Sequence, residues 1–397
     1  MHRIYLDNAA TTPVDKKVFE EMKPYFSDNF GNASSIHNFG RNASEAVEKA
    51  RKQVADFFGA DSGEIIFTSG ATESNNLAIK GIVKAHYKKE KAKPHIITTA
   101  FEHHCVLNAV KNLEKENLIE ATYIKPERDG VINILDIKKA IRPNTILVSV
   151  MYVNNEIGTV QPIKGISQML KKYNSNIIFH TDATQAVNYF DCNVKKLGVD
   201  LMSMSAHKIY GPKGVGALYV KKGLNIAKIQ DGGEQERGLR AGTLNVPGIV
   251  GLGVAMAGIR NYESGIRKIK SLRDYLIKRV LREIPNSKLN GSKIKRSPNN
   301  VNFSFPGVEG ESLIMMLDAD GISASTGSAC SSGTLEPSHV LLSIGSKPEE
   351  AHSSLRITLG KYTTKKEIDY TIGVLKESIN KLRKISGNVL SDYYKLK

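Results

Sequence analysis

Short apolar segments alternate with helical patterns over the first two-thirds of this chain of 397 residues. The segments predicted as strands are Glu64–Thr68, His95–Thr99, Ala121–Tyr123, Thr145–Tyr152, Ile177–Asp182, Leu201–Ser205 and Gly216–Val220. The helical patterns are Arg41–Phe58, Ser74–Lys89, Val106–Glu116, Leu135–Ile141 and Ile163–Tyr173. This alternation predicts an α/β fold with a mostly parallel sheet covered on both faces. Ligands bind beyond the carboxyl ends of such strands, so the residues there are the candidates for a site.

The pattern changes after about residue 260. A long helical pattern over Ile259–Glu283 leads to strand candidates at Asn300–Ser304 and Ser354–Thr358, and a charged helix over Lys365–Lys384 follows. These elements predict a second, smaller α/β domain. The stretch Asn286–Asn299, which is punctuated by proline and glycine, is interpreted as a surface excursion.

The composition, 41% hydrophobic and 24% charged, indicates a globular protein with ample core. Apolar runs stay short of the roughly 20 residues that cross a bilayer, so no membrane association is expected. The first residues lack the apolar region of a signal peptide, which favours the cytoplasm. The three cysteines, Cys105, Cys192 and Cys330, form no Cys-x-x-Cys pair, which fits a reducing compartment and excludes a zinc-ribbon pattern.

The net charge of +16 invites a nucleic-acid interpretation. The lysines, however, are spread along the chain, and no helix-turn-helix, zinc-finger or RNA-binding signature accompanies them. A solvated lysine-rich surface is therefore favoured, and no sequence-specific nucleic-acid binding is expected. An acidic protein partner and a transient contact with tRNA remain open as alternatives for the basic surface.

A loop rich in hydroxyl groups and glycine follows the predicted strand Leu201–Ser205. It contains Ser205, His207 and Lys208, and the glycines beyond them let a ligand approach the backbone. Ser205 and His207 are small donors that suit phosphate oxygens. A lysine so placed can form a Schiff base with a carbonyl cofactor, for which pyridoxal phosphate (PLP) is the obvious candidate. For Lys208 alone, a charged loop residue is the alternative.

A second loop, from Phe67 to Ser74, joins a predicted strand to a predicted helix. Ala71 and Thr72 would open that helix, and the N–H groups at a helix N-terminus favour an anion. Taken alone, the segment is explained equally well as a simple helix cap. Combined with the donors of the Lys208 loop it favours a phosphate, although it is not a Walker P-loop.

Three other strand ends carry polar side chains. Asp182 can pair with a pyridinium nitrogen, and Gln185 can reach a ring oxygen, while a helix N-cap is the alternative for Asp182. His103 and its neighbour His104 suggest a ring stacked on a flat cofactor more than a metal site or a polar loop. Asn155 offers an amide that can orient a substrate or cap a turn.

Cys330 lies among serine, glycine and threonine residues rather than among aliphatic ones. Such surroundings predict an exposed, mobile thiol and hence a candidate nucleophile, which unassisted is only a few per cent thiolate at neutral pH. Arg356 can clamp a substrate carboxylate with its two-pronged guanidinium, and a surface ion pair is the alternative.

These motifs, in this order, resemble those of the PLP-dependent cysteine desulfurases of the NifS/IscS type, within the class-V aminotransferase family. The resemblance covers nearly the whole chain. It implies a homodimer of PLP fold type I, with a seven-stranded sheet in a large domain over 15–260 and a small domain over 1–14 and 261–397. The motifs are Tyr5-Leu-Asp-Asn-Ala-Ala-Thr-Thr-Pro13, Ser-Gly-Ala-Thr-Glu, Glu-His-His, Val-Asn-Asn-Glu-Ile-Gly, Asp-Ala-Thr-Gln, His-Lys-Ile-Tyr-Gly-Pro-Lys-Gly, Arg240-Ala-Gly-Thr-Leu244 and the Cys330 loop.

The resemblance implies a role for each matching residue. Lys208, Cys330 and His103 are expected to be catalytic, with Lys208 binding PLP covalently. Asn155 and Arg356 are expected to hold the substrate carboxylate. The resemblance implies no resident metal. The one exception left open is that Cys330 acts as a transient ligand of an iron–sulfur cluster. The residues expected to bind the cofactor are Ala71, Thr72, His103, Asn155, Asp182, Gln185, Ser205, His207, Lys208 and Thr243, the last reaching the phosphate of the other subunit.

The implied reaction converts L-cysteine to L-alanine and leaves the sulfur on Cys330 as a persulfide. The implied acceptor is an iron–sulfur scaffold or a tRNA-thiolation protein. The alternatives are a selenocysteine lyase or cysteine sulfinate desulfinase on the same fold, and a non-catalytic assembly platform. Cys330 argues against the first of these, and the intact Lys208 and Asp182 argue against the second. Cys105 stands where alanine is more usual, so a second thiol near the expected cofactor is an open alternative, and the residue is interpreted as a packing residue.

Overall fold

The computed structural model describes residues 3–259, 262–326 and 336–395, so Cys330 lies outside the described residues. The strands are β1 (Ile4–Tyr5), β2 (Ile65–Thr68), β3 (His95–Thr99), β4 (Glu120–Ile124), β5 (Thr145–Ser149), β6 (Ile178–Asp182), β7 (Leu201–Ser205), β8 (Gly216–Val220), β9 (Lys288–Leu289), β10 (Asn300–Ser304), β11 (Ile322–Ser323) and β12 (Ser354–Thr358). The helices are α1 (Lys16–Met22), α2 (Pro24–Ser27), α3 (Asn38–Phe58), α4 (Ala71–Tyr87), α5 (His104–Lys115), α6 (Ile134–Ala140), α7 (Ile163–Tyr173), α8 (Val194–Leu197), α9 (Val246–Ile259), α10 (Glu263–Glu283), α11 (Gly310–Ala319), α12 (His339–Ser343), α13 (Pro348–His352) and α14 (Lys365–Lys395).

The central sheet has seven strands in the order β2-β8-β7-β6-β5-β3-β4. Strands β3 to β7 pair in parallel, and β8 runs antiparallel to both of its neighbours, β7 and β2. Every residue of β7 and β8 is buried, as expected for strands that are covered on both faces. The predicted α/β fold with a mostly parallel seven-stranded sheet is confirmed.

Helix α3 shows how the sequence covers this sheet. Its buried residues recur every three or four positions, as at Ala43, Val47, Ala50 and Val54, so one face of the helix is apolar. This helix packs on α9, which is apolar almost all round and buried. A Cβ atom at Gly253 of α9 would lie 2.7 Å from the Cα atom of Ala50, so this close approach requires a glycine.

A second hydrophobic cluster joins the two ends of the chain. Leu6 packs there with residues of α10, α11, α14, β10 and β12, and β1 pairs in parallel with β11. This packing supports the predicted small domain over 1–14 and 261–397 beside a large domain over 15–260, and these boundaries stay a prediction. None of the helices in the described ranges is both long and apolar enough to cross a membrane.

Two predictions about the last third of the chain are confirmed only in part. The helix predicted over Ile259–Glu283 begins at Glu263, because α9 ends at Ile259 and Tyr262 has non-helical angles of φ −101° and ψ 17°. The predicted surface excursion Asn286–Asn299 is exposed at Ile294, but Arg296 is 5% exposed and its guanidinium donates to the carbonyl of Ile157 at 2.9 Å. Buried polar residues that are satisfied by backbone carbonyls leave no apolar signal in a sequence.

Candidate active site

A cavity of about 510 Å³ lies at the carboxyl ends of the central strands. It brings together ten of the residues that the sequence predicts for the site. Thr243 is exposed and does not line this cavity, and Cys330 lies outside the described residues. The ten lining residues are Ala71, Thr72, His103, Asn155, Asp182, Gln185, Ser205, His207, Lys208 and Arg356. Their individual roles stay predictions.

The N-terminus of α4 forms one wall of the cavity. Gly70, with φ +151°, is the N-cap residue of the helix, and it has no side chain to cap the first N–H groups. The Glu73 side chain turns back to the N–H of Ser69 at 2.7 Å and to the guanidinium of Arg240 at 2.9 Å, which fixes the turn. Ser205 lies close by, with its hydroxyl 3.5 Å from where a Cβ atom of Gly70 would be. An uncapped helix N-terminus beside a hydroxyl is suited to a phosphate.

The Lys208 loop contacts the N-terminal turn of the chain. The Nζ atom of Lys208 donates to the carbonyl oxygens of Ala9 and Ala10 at 2.5 and 2.6 Å. His207 contacts the hydroxyl of Thr11 at 3.1 Å through Nδ1, and burial beside the Lys208 and Lys213 charges lowers the pKa of His207 to about 4. A neutral imidazole with one N–H can donate to a phosphate oxygen.

Asp182 ends strand β6 and is 5% exposed. One carboxylate oxygen accepts the N–H of Thr184 at 2.9 Å, and the other accepts the side-chain amide of Asn75 at 2.7 Å. These two bonds fix the position of the carboxylate at the cavity, where it can pair with a protonated ring nitrogen. Gln185 is held by a bond from Nε2 to the carbonyl of Ala9 at 2.9 Å.

His103 is the N-cap of α5, and its ring nitrogen Nδ1 accepts the N–H of Cys105 at 3.2 Å. The Cys105 thiol lies 3.0 Å from the same nitrogen, and it also lines the cavity. Burial raises the pKa of this thiol to about 12, while burial lowers the pKa of His103 against the raising effect of Asp182. Within the described ranges, no group of three or more His, Cys, Asp or Glu side chains is arranged to hold a metal ion.

Arg356 and Asn155 carry unpartnered polar atoms at the opposite wall. Arg356 is 2% exposed; its guanidinium forms an ion pair with Asp7 at 2.9 Å and donates to the carbonyl of Asn155 at 3.2 Å. Its Nε atom is buried without a partner among the described residues, and so is Oδ1 of Asn155. Buried polar groups are normally hydrogen-bonded, so such orphans lining a cavity indicate that a polar ligand completes the site.

Two buried glutamates lie directly behind the cavity. Burial raises the pKa of Glu102 to about 8, and the same effect raises that of Glu156 to about 7. Glu156 accepts the hydroxyl of Ser338, and the carbonyl of Glu102 contacts the ring of His339 at 2.9 Å. These contacts tie the chain just after residues 327–335 to the wall of the cavity.

The described residues on either side of the segment 327–335 are thus attached beside the cavity. Before the segment, Ser325 exchanges two backbone hydrogen bonds with Arg356, at 3.2 and 2.7 Å. After it, Ser338 is bonded to Glu156.

Sequence reasoning missed several contributors to this site. The carbonyl groups of Ala9 and Ala10 hold Lys208, and Thr11 holds His207. Asn75 is fully buried against Asp182, yet it reads as an ordinary polar position in a helix. The one available signal was the turn-rich segment Asn8-Ala-Ala-Thr-Thr-Pro13, since a polar turn has little reason to be buried unless it borders a site.

The model for the aminotransferase class-V family matches residues 4–371. The chain belongs to the class-V aminotransferase family. Within this family it is 53% identical over 384 residues to a protein of Dictyoglomus turgidum named cysteine desulfurase IscS, with 96% of each chain covered. The predicted resemblance to the cysteine desulfurases of this family is therefore confirmed.

Solved structures agree with this placement. A structure titled NifS-like protein has a TM-score of 0.89 at 37% identity and covers 96% of this chain and 100% of its own. A structure titled SspA in complex with cysteine has a TM-score of 0.79 at 39% identity and covers 91% of this chain and 100% of its own. The predicted fold type is confirmed, and the family implies PLP as the cofactor.

Proposed function

We propose that this protein is a PLP-dependent cysteine desulfurase that converts L-cysteine to L-alanine and transfers the sulfur to Cys330. The observation that carries the proposal is the convergence of Lys208, Asp182 and Arg356 on one cavity, in a chain that is about half identical to cysteine desulfurases. These three residue types bind a carbonyl cofactor, a pyridinium nitrogen and a carboxylate, respectively.

The residues of the cavity fit PLP. The uncapped N-terminus of α4, with Thr72, Ser205 and His207, would hold the phosphate. Asp182 would hold the ring nitrogen and Gln185 the ring oxygen, while His103 would stack on the ring. Lys208 would hold the cofactor aldehyde covalently. When bound, PLP supplies an electron sink for the charge that develops at the substrate Cα atom.

The chain's own residues then perform three tasks. Arg356 and Asn155 bind the substrate carboxylate, whose oxygens offer an acceptor to the buried Nε–H of Arg356. The Nζ atom of Lys208 takes the proton from the substrate Cα atom. The Cys330 thiolate attacks the substrate sulfur, so that an S–S bond forms while the Cβ–S bond breaks. Counted in full, L-cysteine and the Cys330 thiol give L-alanine and the Cys330 persulfide, with no oxidant or reductant needed.

We further propose a homodimer in which the exposed Thr243 reaches the phosphate site of the other subunit. The acceptor of the sulfur is proposed to be an iron–sulfur scaffold, as the resemblance to the NifS/IscS type implies. A tRNA-thiolation protein would accept sulfur from the same persulfide. The expected location in the cytoplasm stays a prediction.

A single turnover tests the proposal directly. The PLP-loaded full chain is mixed with one equivalent of L-cysteine, and the alanine formed and the intact protein mass under non-reducing conditions are measured. We expect one alanine per chain, with the mass of one sulfur atom added and mapped to Cys330. The variant Cys330→Ser should form no persulfide while it keeps the absorbance of bound PLP. Cys192→Ala, which removes a thiol from the core, should behave as the unchanged protein.

Two results would overturn the proposal. Full sulfur release by Cys330→Ser would exclude Cys330 as the nucleophile. Alanine formed without any protein persulfide would instead favour a lyase that acts on another leaving group, such as selenocysteine or cysteine sulfinate.

A further inference from the structure

A continuous line of buried hydrogen bonds joins Asp182 to His103. The side-chain amide of Asn75 donates one N–H to Asp182 at 2.7 Å and the other to the sulfur of Cys105 at 3.0 Å. The Cys105 sulfur in turn lies 3.0 Å from Nδ1 of His103. Asn75 is fully buried, and neither it nor Cys105 has a role in the proposed function.

The chemistry of each group fixes the direction of every bond in this line. An amide N–H can only donate, so the Cys105 sulfur accepts from Asn75. Burial raises the pKa of the thiol to about 12, so it keeps its proton at neutral pH. That S–H proton can then be donated to Nδ1 of His103, which also accepts the backbone N–H of Cys105 at 3.2 Å.

We propose that Asn75 and Cys105 are positioning residues that hold His103 as the neutral imidazole with its proton on Nε2. With two donors directed at Nδ1, a proton can be added there only if both bonds break. His103 is thus kept uncharged against the cofactor ring, while Asn75 fixes the position of the Asp182 side chain. The effect on the reaction rests on the proposed function; the location of the proton does not.

Several titratable groups face His103 and bear on its protonation. The negative charge of Asp182 favours the imidazolium form, whereas the positive charges of Lys208 and His104 disfavour it. His339, from the other side of the cavity wall, is also close enough to interact with it. A hydrogen bond to Nδ1 stabilises the neutral form further, so removing the Cys105 thiol should raise the protonation midpoint of His103.

Nuclear magnetic resonance of the full chain labelled with ¹⁵N-histidine tests this directly, with PLP bound and after its removal. The signal of His103 is identified by its absence in His103→Gln. We expect a bare Nδ1 and a protonated Nε2 in both forms of the protein. In Cys105→Ala the midpoint of His103 should rise by about half to one pH unit, which corresponds to the loss of one hydrogen bond.

Matched variants separate this effect from a general disturbance. Cys105→Ser keeps a donor at the same place and should hold the midpoint near that of the unchanged protein. Cys192→Ala removes a buried thiol elsewhere in the core and should not move it. A proton found on Nδ1 in the unchanged protein would overturn the proposal, even if Cys105→Ala fails to fold. An unmoved midpoint in folded Cys105→Ala would overturn it as well.

The same spectra keep this inference apart from the proposed function. If L-cysteine gives no alanine but His103 carries its proton on Nε2 and responds to Cys105→Ala, the proposed reaction fails and the positioning role stands. If alanine and persulfide form but His103 does not respond, the positioning role alone fails.

Discussion

The Arg51 guanidinium and the Glu236 carboxylate face each other through two hydrogen bonds, of 2.7 and 2.8 Å, in the protein interior. Their side chains are 5% and 0% exposed. Glu236 also accepts the N–H of Phe67 at 2.7 Å, from the edge strand β2 of the central sheet. Glu236 and Arg237 have positive φ angles of 45° and 57°, so this pair holds a strained loop against the sheet.

We expect Arg51→Met to lower the free energy of unfolding by about 3–5 kcal/mol, because it leaves the buried Glu236 carboxylate without the guanidinium that opposes its charge. Urea unfolding followed by circular dichroism measures this loss. The double variant Arg51→Met with Glu236→Leu should recover much of it, since both charges are then removed.

The neighbouring Lys52 provides the control, since it pairs with Asp56 on the exposed side of the same helix at 2.9 Å. Lys52→Met should leave unfolding almost unchanged. If Arg51→Met were as mild as Lys52→Met, the buried pair would not stabilise the loop.

Arg51 and Glu236 also show where sequence reasoning stops. They are 185 positions apart, and nothing local in either segment marks them as partners. The strands, by contrast, were predictable because each is a short apolar run bounded by turn residues, and all seven of the central sheet were found within a few residues of their ends. Local patterns predict elements, whereas long-range polar pairing requires the fold.

The candidate site was predictable for a related reason. Parallel strands place their carboxyl ends at one edge of a sheet, so polar residues after several strands, such as Asp182 and Ser205, had to meet. Two contributions could not be read in this way. Ala9 acts through its backbone carbonyl, which every residue has, and Asn75 lies within a helix rather than at a strand end.

The turn at Gly70 gives a second prediction. Its φ of +151° is rarely adopted by residues with a side chain, although a Cβ atom would be only in ordinary contact with Ser205 at 3.5 Å. Gly70→Ala should therefore shift the first N–H groups of α4 without filling the cavity. We expect the affinity for PLP to fall about tenfold to a hundredfold, as for the loss of one or two hydrogen bonds to a phosphate.

Titration of the cofactor-depleted chain with PLP, followed by absorbance, measures this affinity. Gly63→Ala is the matched control, because a Cβ atom at Gly63 meets nothing within 4 Å. Equal PLP affinities of the two variants would argue against the N-terminus of α4 as the phosphate site.

The third prediction concerns substrate binding by Arg356. Arg356→Lys keeps the charge but loses the two-pronged geometry, so we expect KM for L-cysteine to rise about tenfold to a hundredfold. The absorbance of bound PLP should not change, because Arg356 contacts the substrate in this proposal. Steady-state alanine formation at varied L-cysteine concentrations measures KM.

Arg142→Lys serves as the comparison, because Arg142 forms an exposed ion pair with Glu120. It should leave KM as in the unchanged protein. A KM unaffected in Arg356→Lys would mean that another group binds the substrate carboxylate, with Asn155 next in line.

The fourth prediction is a fall in stability between about pH 6.5 and 8. Burial raises the pKa of Glu102 to about 8 and that of Glu156 to about 7, above their ordinary value of 4.5. The folded protein therefore binds these protons more tightly than the unfolded chain. Their contribution is fully present below pH 4.5 and is lost as the pH rises through the folded values.

Buried histidines act in the opposite direction but over a lower range. Burial lowers the pKa of His95, His180, His207 and His339 to about 4, from an ordinary value of 6.5. The unfolded chain therefore binds their protons more tightly, so stability is lost as the pH falls from 6.5 towards 4. At pH 6.5 these histidines are still half protonated in the unfolded chain, and they become neutral in both states only about one pH unit higher. A glutamate variant keeps the histidines, so its comparison with the unchanged protein isolates the effect of the glutamate.

We therefore expect Glu156→Gln to flatten the fall in the free energy of unfolding between pH 6.5 and 8, because a neutral amide has no proton to lose. The loss of stability over this range should be smaller in the variant by on the order of 1 kcal/mol, because one pKa unit corresponds to about 1.4 kcal/mol and Glu156 releases most of its proton within this range. Glu102→Gln should act in the same sense at slightly higher pH.

Glu20→Gln is the control, because it is an exposed change on α1, and it should leave the slope of stability against pH unchanged. Urea unfolding at several pH values measures the slope, and a fall of equal steepness in Glu156→Gln would mean that Glu156 is already ionised in the folded protein.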